Sequence, residues 1–469
     1  MRCQVRPSDR PRVAAALLAC ALVVPACGRT GLLDGLAWDA GPGGEGTPRA
    51  GTDAGATADA GVTREAGAIA DAAPVTDVGV ATDAGLGGDA GPCGRGLQAG
   101  APWPMFGGCS TVAGWSAAVG PARPTTLWVF PANVTAEPAI AADGTIYFGT
   151  GDARLYAVSS AGALVWTFTG EAGETFASTP AVLADGTIVF GAESTTAGKL
   201  YAVSPTGTLL WSTTLSYHPD LSPPSPSVGD DGTLYVSDAY ELIAVHPDGR
   251  VAWEVSAGVE YAMIPALGRD GTIYVGGQDG AQAYAPDGHR KWAVGSWGGQ
   301  MSVGDDGTVY ATLATGNNGS GMALIAVHPD GTEAWSDDVA GIWLRPPSTH
   351  GALVVVDTGG GLSAEGAAGM PEWTASLGGA STGDGPVMDG SGTVYVGVAT
   401  MAGPSPCGLP CEKFVGQGLH AISAGGAPGW TFEVGTTFGT PAIGADGTLY
   451  VAASSETGPI GLYAIGDRH

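Results

Sequence analysis

Short apolar runs alternate with Asp-Gly turns from about residue 125 to the end of this chain. In residues 180–211, two apolar strands flank the turn Asp185-Gly186, and two more flank Thr206-Gly207. Asp-Gly between β-prone runs is a strong hairpin signal, because glycine accepts the positive φ that the turn requires. The runs are apolar on both faces instead of alternating, which predicts sheets that are covered on both sides by neighbouring sheets.

A tryptophan closes each of these units, and eight tryptophans recur at separations of 38 to 57 residues. A repeat of about 40 to 45 residues with four short strands is typical of a propeller blade. The sequence therefore predicts an all-β, eight-bladed β-propeller of four-stranded antiparallel blades, with the tryptophans sealing the joints between blades. These blade-docking tryptophans are Trp128, Trp166, Trp211, Trp253, Trp292, Trp335, Trp373 and Trp430.

The two ends of the repeat region complement each other. The last copy, residues 441–465, has three strands and no tryptophan strand, whereas an orphan tryptophan strand, residues 127–130, precedes the first copy. We therefore expect the N-terminal strand to complete the last blade, which removes the open sheet edges that promote aggregation. Deleting residues 120–131 should then damage folding more than trimming a terminus normally does.

The first residues resemble an export signal. An arginine-rich start is followed by an apolar stretch, Val13 to Val24, that is shorter than the about 20 residues of a membrane span. It ends in Val-Pro-Ala-Cys at residues 24–27, which resembles a bacterial lipobox with proline as an unusual spacer. We expect a signal peptide over 1–26 and lipid on Cys27, with an ordinary secretory signal as the alternative. The mature protein is then exported and anchored in the outer membrane by its lipid, facing the periplasm or the cell surface.

Residues 27–92 are rich in Asp, Ala and Gly and poor in large apolar residues, so they cannot form a core. We interpret them as a disordered tether in front of a propeller that spans residues 93–469.

Four cysteines remain after the signal peptide and the lipidation site: Cys93, Cys109, Cys407 and Cys411. An even number in an exported chain predicts two disulfides, for which three pairings are possible. We favour Cys93 with Cys109 and Cys407 with Cys411. No histidine stands at ligand spacing near either pair, which argues against a metal site.

The formal net charge is −27. Such a chain repels phosphate backbones and anionic lipid headgroups, so we expect no nucleic-acid partner and no membrane contact except through the N-terminal lipid. Repeated Asp-Gly turns do not supply the several converging oxygen ligands of a calcium site, so no metal is expected at them. We expect the propeller to be monomeric.

The segment from Trp103 to Gly108, Trp-Pro-Met-Phe-Gly-Gly, and the repeats behind it resemble the PQQ-like (quinoprotein-type) β-propeller superfamily. The resemblance extends over residues 103–467. One repeat carries the docking pattern of that superfamily, with serine at the usual acidic position. The matching residues of that repeat are Ala202, Thr206, Gly207 and Trp211, whereas Ser204 takes the acidic position and the turn comes one residue early.

The superfamily includes quinone-dependent dehydrogenases and non-catalytic members such as the outer-membrane assembly lipoprotein BamB. The dehydrogenases use a vicinal disulfide, a calcium bound by Glu, Asn and Asp, and an Asp base. This chain has no Cys-Cys pair, and no matching acidic cluster is evident. The resemblance therefore implies a BamB-like lipoprotein that is not an enzyme, carries no cofactor and has no catalytic or cofactor-binding residues. A PQQ-dependent oxidoreductase with a diverged site is the alternative.

Recognition is expected on loops that a rigid frame presents. The two longest insertions, Thr315 to Gly321 and Met401 to Gly418, are the candidates for a rim that binds an envelope protein or a glycan. Trp297 and Trp343 fall outside the tryptophan cadence, so they are the candidates for an aromatic platform that binds a sugar or a quinone.

Overall fold

The computed structural model describes residues 93–194, 197–215, 225–238, 240–258, 263–315, 321–339, 345–382, 385–401, 414–454 and 460–468. These residues form eight antiparallel sheets that follow one another along the chain as eight blades. Within these ranges no helix has the length and apolarity needed to cross a membrane. The predicted all-β, eight-bladed propeller is confirmed.

The strands are numbered in chain order, and β1 is Thr125–Pro131. Blade 1 contains β2 Ala139–Ile140, β3 Ile146–Gly149, β4 Arg154–Val158 and β5 Leu164–Thr169, and blade 2 contains β6 Ala181–Val182, β7 Ile188–Glu193, β8 Gly198–Val203 and β9 Leu209–Leu215. Blade 3 contains β10 Ser227–Val228, β11 Leu234–Asp238, β12 Glu241–Val245 and β13 Val251–Ser256, and blade 4 contains β14 Ala266–Leu267, β15 Ile273–Gly277, β16 Gly280–Tyr284 and β17 Arg290–Val294.

The remaining blades follow the same plan. Blade 5 contains β18 Gly298–Val303, β19 Val309–Thr315, β20 Gly321–Val327 and β21 Glu333–Asp338, and blade 6 contains β22 Ser348–His350, β23 Leu353–Asp357, β24 Gly361–Glu365 and β25 Pro371–Ser376. Blade 7 contains β26 Ala380–Ser381, β27 Val387–Met388, β28 Val394–Met401, β29 Phe414–Ile422 and β30 Pro428–Phe432. Blade 8 contains β31 Thr436–Ile443, β32 Leu449–Ser454 and β33 Gly461–Gly466 together with β1. In blade 7 the inner strand is split into β26 and β27, which both pair with β28.

Both ends of the chain contribute to blade 8. Strand β1 pairs antiparallel with β33, and Trp128 lies opposite Ala464. The sheet order is β1-β33-β32-β31, so the N-terminal strand is the outermost strand of the last blade. This confirms the predicted closure of the ring.

The apolar second and third strands form the core. All residues of β3 are buried, as are all residues of β15 and β16. The outermost strands alternate between exposed and half-buried residues, as in β5. This gradient arises because the inner strands have neighbouring blades on both faces, whereas the outer strands lie at the periphery.

Antiparallel order divides the turns between two faces. We define the turn face as the side that carries the first and third turns of each blade, which include the Asp-Gly turns. The loop face is the opposite side, which carries the second turn of each blade and the connections between blades.

Candidate interaction surface

All eight tryptophans of the cadence lie on the outermost strands and bridge to the next blade. In each, the indole Nε1 donates a hydrogen bond of 2.7–2.9 Å to a backbone carbonyl of a turn-face segment. Seven indoles also cover a turn glycine, as Trp211 covers Gly249. The eighth, Trp430, bonds Pro121 in the segment before β1. The acceptors for Trp128 through Trp430 are Ser160, Pro205, Pro247, Pro286, Pro329, Ala367, Ala424 and Pro121.

A second feature closes the turn face at the axis. Residues 93–120, which we name the plug, pass around the inner strands before β1 begins. In six blades the first strand, which is the innermost one, donates a backbone N–H to a plug carbonyl at 2.7–2.9 Å. These donor–acceptor pairs are Ile140 to Trp103, Val182 to Pro104, Leu267 to Ser110, Val303 to Thr111, Thr349 to Ala113 and Met388 to Gly114.

The plug reaches the other two blades as well. The Ser110 hydroxyl donates to the Val228 carbonyl of blade 3 at 2.7 Å. In blade 8, Gly447 lies so close to the Val119 carbonyl that a Cβ there would be 1.9 Å from it. The plug therefore pairs backbone groups at the ends of seven first strands and covers the first turn of blade 8.

Apolar side chains and a disulfide hold the plug. Trp103, Met105, Phe106 and Val112 are each at most 5% exposed. Cys93 and Cys109 form a disulfide whose Cα atoms are 4.8 Å apart. The segment from Trp103 to Gly108, which carried part of the family resemblance, thus lies in the plug, a role that sequence reasoning missed. The available signal was an apolar run with paired glycines in front of the first repeat.

The loop face carries the longest hairpins. Strands β19 and β28 are the second strands of their blades, as β3 is in blade 1. They are three and four residues longer than β3 at the end that reaches the loop face. At about 3.3 Å per residue, the two hairpins extend roughly 10 and 13 Å further. The prediction that Thr315 to Gly321 and Met401 to Gly418 are loops is wrong at their ends, because residues 414–418 belong to β29 and Thr315 pairs with Gly321. The turn residues 316–320 and 402–413 lie outside the described ranges.

Trp297 lies on the same face, in the connection from β17 to β18. Its side chain is 47% exposed, and its φ of 52° is uncommon for a residue other than glycine. The backbone is held from both sides, since its N–H donates to Gln278 in blade 4 and its carbonyl accepts from Ala314 in blade 5. Strained backbone that its surroundings hold in place is concentrated at functional sites.

Ionic clusters fix the loop face near two blade joints. Between blades 1 and 2, Lys199 lies 2.8 Å from both Glu171 and Glu174. Burial opposes its charge, but the hydrogen bonds to the two glutamates raise the pKa of Lys199 above its usual value. Burial, together with the hydrogen bond to Glu174, raises the pKa of Tyr201 to about 12. Both tyrosine and lysine therefore stay protonated at neutral pH.

A second cluster joins blades 6 and 7. The Arg345 guanidinium lies 3.3 Å from the buried Asp357 carboxylate and donates to the Ser381 hydroxyl at 2.7 Å. Ser381 also donates to Asp357. The charge is compensated within the cluster, which suits a structural support for the loop face better than a reacting group.

The described residues do not fit a quinone–calcium site. A calcium ion needs six to eight oxygen ligands. Among the described residues, no group of three or more His, Cys, Asp or Glu side chains could hold a metal ion.

The third strand of blade 6 carries a buried carboxyl group at a position where the other seven blades have none. Glu365 is 1% exposed at the end of β24, where the other third strands have Val, Ile or Tyr. Its Oε1 accepts from Ser363, and its Oε2 has no partner within the described residues. Burial raises the pKa of Glu365 above its ordinary value of 4.5. An ionised Glu365 therefore destabilises the folded protein at neutral pH.

We expect Glu365→Gln to raise the free energy of unfolding at pH 7 by about 1 kcal/mol. The raised pKa in the folded state means that the penalty is present at high pH and disappears below the unfolded value of 4.5. The advantage of the variant should therefore shrink as the pH falls towards 4.5 and be absent below it, as followed by urea denaturation at several pH values. Glu433→Gln, at an exposed position, is the matched control, and an equal or pH-independent gain in both variants would contradict the explanation.

Several predicted residues lie outside the described ranges: Cys27, Trp343, Cys407 and Cys411. Their predicted roles in lipidation, ligand stacking and disulfide formation stay predictions, as do the boundaries of the signal peptide and the tether.

A family model described as outer membrane protein assembly factor BamB matches residues 196–324. The crystal structure of BamB from Moraxella catarrhalis is similar to this fold, with a TM-score of 0.53 at 17% identity, covering 74% of this chain and 99% of that one. The C-terminal WD40 domain of Sif2 is similar as well, with a TM-score of 0.54 at 14% identity, covering 75% and 99%. No curated protein matches the chain. The structural likenesses establish the propeller fold, and the family match supports the resemblance to BamB-like PQQ propellers.

Proposed function

We propose that this protein is a lipid-anchored binding scaffold of the bacterial envelope, which presents the loop face of its propeller to a protein or a glycan. The main support for the proposal is that the plug covers the turn face, whereas long hairpins and an exposed indole lie on the loop face. The plug contacts the first strands of seven blades and the first turn of blade 8 at the turn face, whereas the loop face carries the two longest hairpins and the exposed Trp297.

Two further features support a binding role. Ion pairs within the joints between blades 1 and 2 and between blades 6 and 7 make the loop face a rigid frame for its hairpins. The family match to an outer-membrane assembly factor, over residues 196–324, agrees with an envelope scaffold. An exposed indole on a fixed backbone adds contact area at low entropic cost, which is typical of residues that dominate binding.

Site-specific photo-crosslinking in the native envelope tests the proposal. A photoreactive phenylalanine analogue at position 297 should give a discrete adduct, because the partner covers the loop face. The same analogue at Met370, which is 66% exposed on the turn face, is the matched control and should give none. Protease and glycosidase treatment of the adduct then identifies the partner as protein or glycan. Cys27→Ser should release the protein from the membrane fraction if the lipid is the anchor.

Three results would count against the scaffold. Equal adducts at both positions would indicate nonspecific contact, and no adduct at position 297 would remove the loop face as the binding surface. Stoichiometric uptake of PQQ together with calcium by the purified protein would favour the quinone-dependent oxidoreductase instead.

A further inference from the structure

The outermost strands differ between the two sides of the ring. In blades 1 and 2, the two residues before the docking tryptophan are apolar and 47–55% exposed: Leu164, Val165, Leu209 and Leu210. In blades 4 to 7, at least one of the same two positions is charged or proline. The residues of those blades are Arg290 and Lys291, Glu333 and Ala334, Pro371 and Glu372, and Pro428 and Gly429.

The contrast extends along the whole strands. Strands β5 and β9, with the sequences LVWTFT and LLWSTTL, contain no charged residue and no proline. Each is the last strand of its sheet, and within the described residues no strand pairs with its outer edge. Proteins normally place charges or proline on such edges to prevent pairing with another chain. Blades 4 to 7 have this protection, and blades 1 and 2 lack it.

The two unprotected edges are neighbours. The Trp166 indole donates to the Pro205 carbonyl at 2.8 Å and covers Gly207, in the turn that leads directly into β9. The exposed apolar pairs of β5 and β9 therefore belong to one surface on the periphery of the propeller, apart from the loop face.

We propose that the outer edges of β5 and β9 each bind one extended strand of another envelope protein, a segment that alternates apolar and uncharged polar residues and has no negative charge. Unpaired backbone groups at a sheet edge are satisfied by an added strand, and the exposed leucines and valine receive its apolar side chains. The net charge of −27 opposes pairing with a second copy of this chain and favours neutral or basic flanks on the partner. This inference rests on the proposed binding function and adds a second surface to it.

A synthetic peptide of alternating Thr and Val, flanked by lysines, tests the proposal with the full-length protein. The peptide should bind and should slow amide hydrogen exchange in residues 164–169 and 209–215. The double variant Val165→Lys with Leu210→Lys should weaken binding by about tenfold or more, because charges at an edge oppose strand addition. Blade 4 has Lys291 at the corresponding position, so the fold accepts a lysine there.

Matched controls separate edge pairing from charge attraction and from the loop face. Ala334→Lys in blade 5 adds a lysine at the same position of an outer strand, and Ala293→Lys adds one directly after the docking tryptophan of blade 4. The variant with both lysines should bind normally. Trp297→Ala should leave peptide binding unchanged, so failure of the loop-face proposal is distinguishable from failure of this one. Equal binding of a peptide with a central proline would overturn the inference. So would a dimer, seen in sedimentation, that Val165→Lys with Leu210→Lys dissociates, since the occupant would then be a second copy.

Discussion

Replacing β1, Thr125–Pro131, by a Gly/Ser segment of equal length is expected to destabilise the propeller severely. Six residue pairs join β1 to β33, and they connect the two ends of the repeat region. The Trp128 indole also bonds the Ser160 carbonyl of blade 1 at 2.8 Å. Without β1, blade 8 keeps three strands and its contact with blade 1 is weakened. We expect the free energy of unfolding to fall by about 5 kcal/mol or more, as measured by urea denaturation.

Equal length matters in this experiment, because the segment also connects the plug to β2. The matched control replaces β17, Arg290–Val294, in the same way, since this outer strand lies in a blade whose neighbours remain joined through the chain. A synthetic peptide of residues 122–132, added to the β1 variant, should restore much of the lost stability. Equal losses for both replacements, with no rescue by the peptide, would show that β1 has no special role in closing the ring.

The closed ring was predictable from the sequence because it depends on local periodic signals. Apolar strands and the tryptophan cadence repeat in every blade, and Asp-Gly marks the first turn of six blades, with His350-Gly351 and Ser391-Gly392 in the other two. The missing fourth strand of the last copy matched the orphan strand around Trp128. Each of these signals is a property of a short segment. Counting them was therefore enough to give the architecture and the partner of β1.

The plug was not predictable in the same way. Its residues occur once, so no repeat identifies them, and its contacts are backbone hydrogen bonds to inner strands of blades far apart in the sequence. The Leu267 N–H, for example, donates to the Ser110 carbonyl, which is 157 positions earlier in the chain. Backbone carbonyls carry no residue identity, so such pairing leaves little trace in the sequence. What the sequence offered was the apolar segment Trp103–Phe106, which indicated a resemblance but not a position.

The candidate surfaces show the same limit. Trp297 departs from the cadence, so the sequence could single it out, but its positive φ and its place between Gln278 and Ala314 are tertiary features. The unprotected edges of β5 and β9 could have been found by comparing the residues before each tryptophan. That comparison becomes informative only once these strands are known to be outermost, because the same apolar residues would be ordinary in a core.

Trp103 and Trp297, which both lie outside the tryptophan cadence, are expected to differ strongly in their contribution to stability. Trp103 is 1% exposed in the plug, and its carbonyl accepts the Ile140 N–H at 2.7 Å. Its ring packs closely on Gly108, where an added Cβ would lie 3.3 Å from the ring. We expect Trp103→Ala to lower the free energy of unfolding by about 3–5 kcal/mol, the range for removing a buried tryptophan. Trp297→Ala, which removes a 47% exposed indole, should change stability by less than about 0.5 kcal/mol in the same urea titration. Because Trp103 packs in the plug, its loss should also speed hydrogen exchange at Ile140 and Val182, whose amides bond plug carbonyls. Equal costs for the two variants, or unchanged exchange at these amides, would mean that the plug does not stabilise the inner strands.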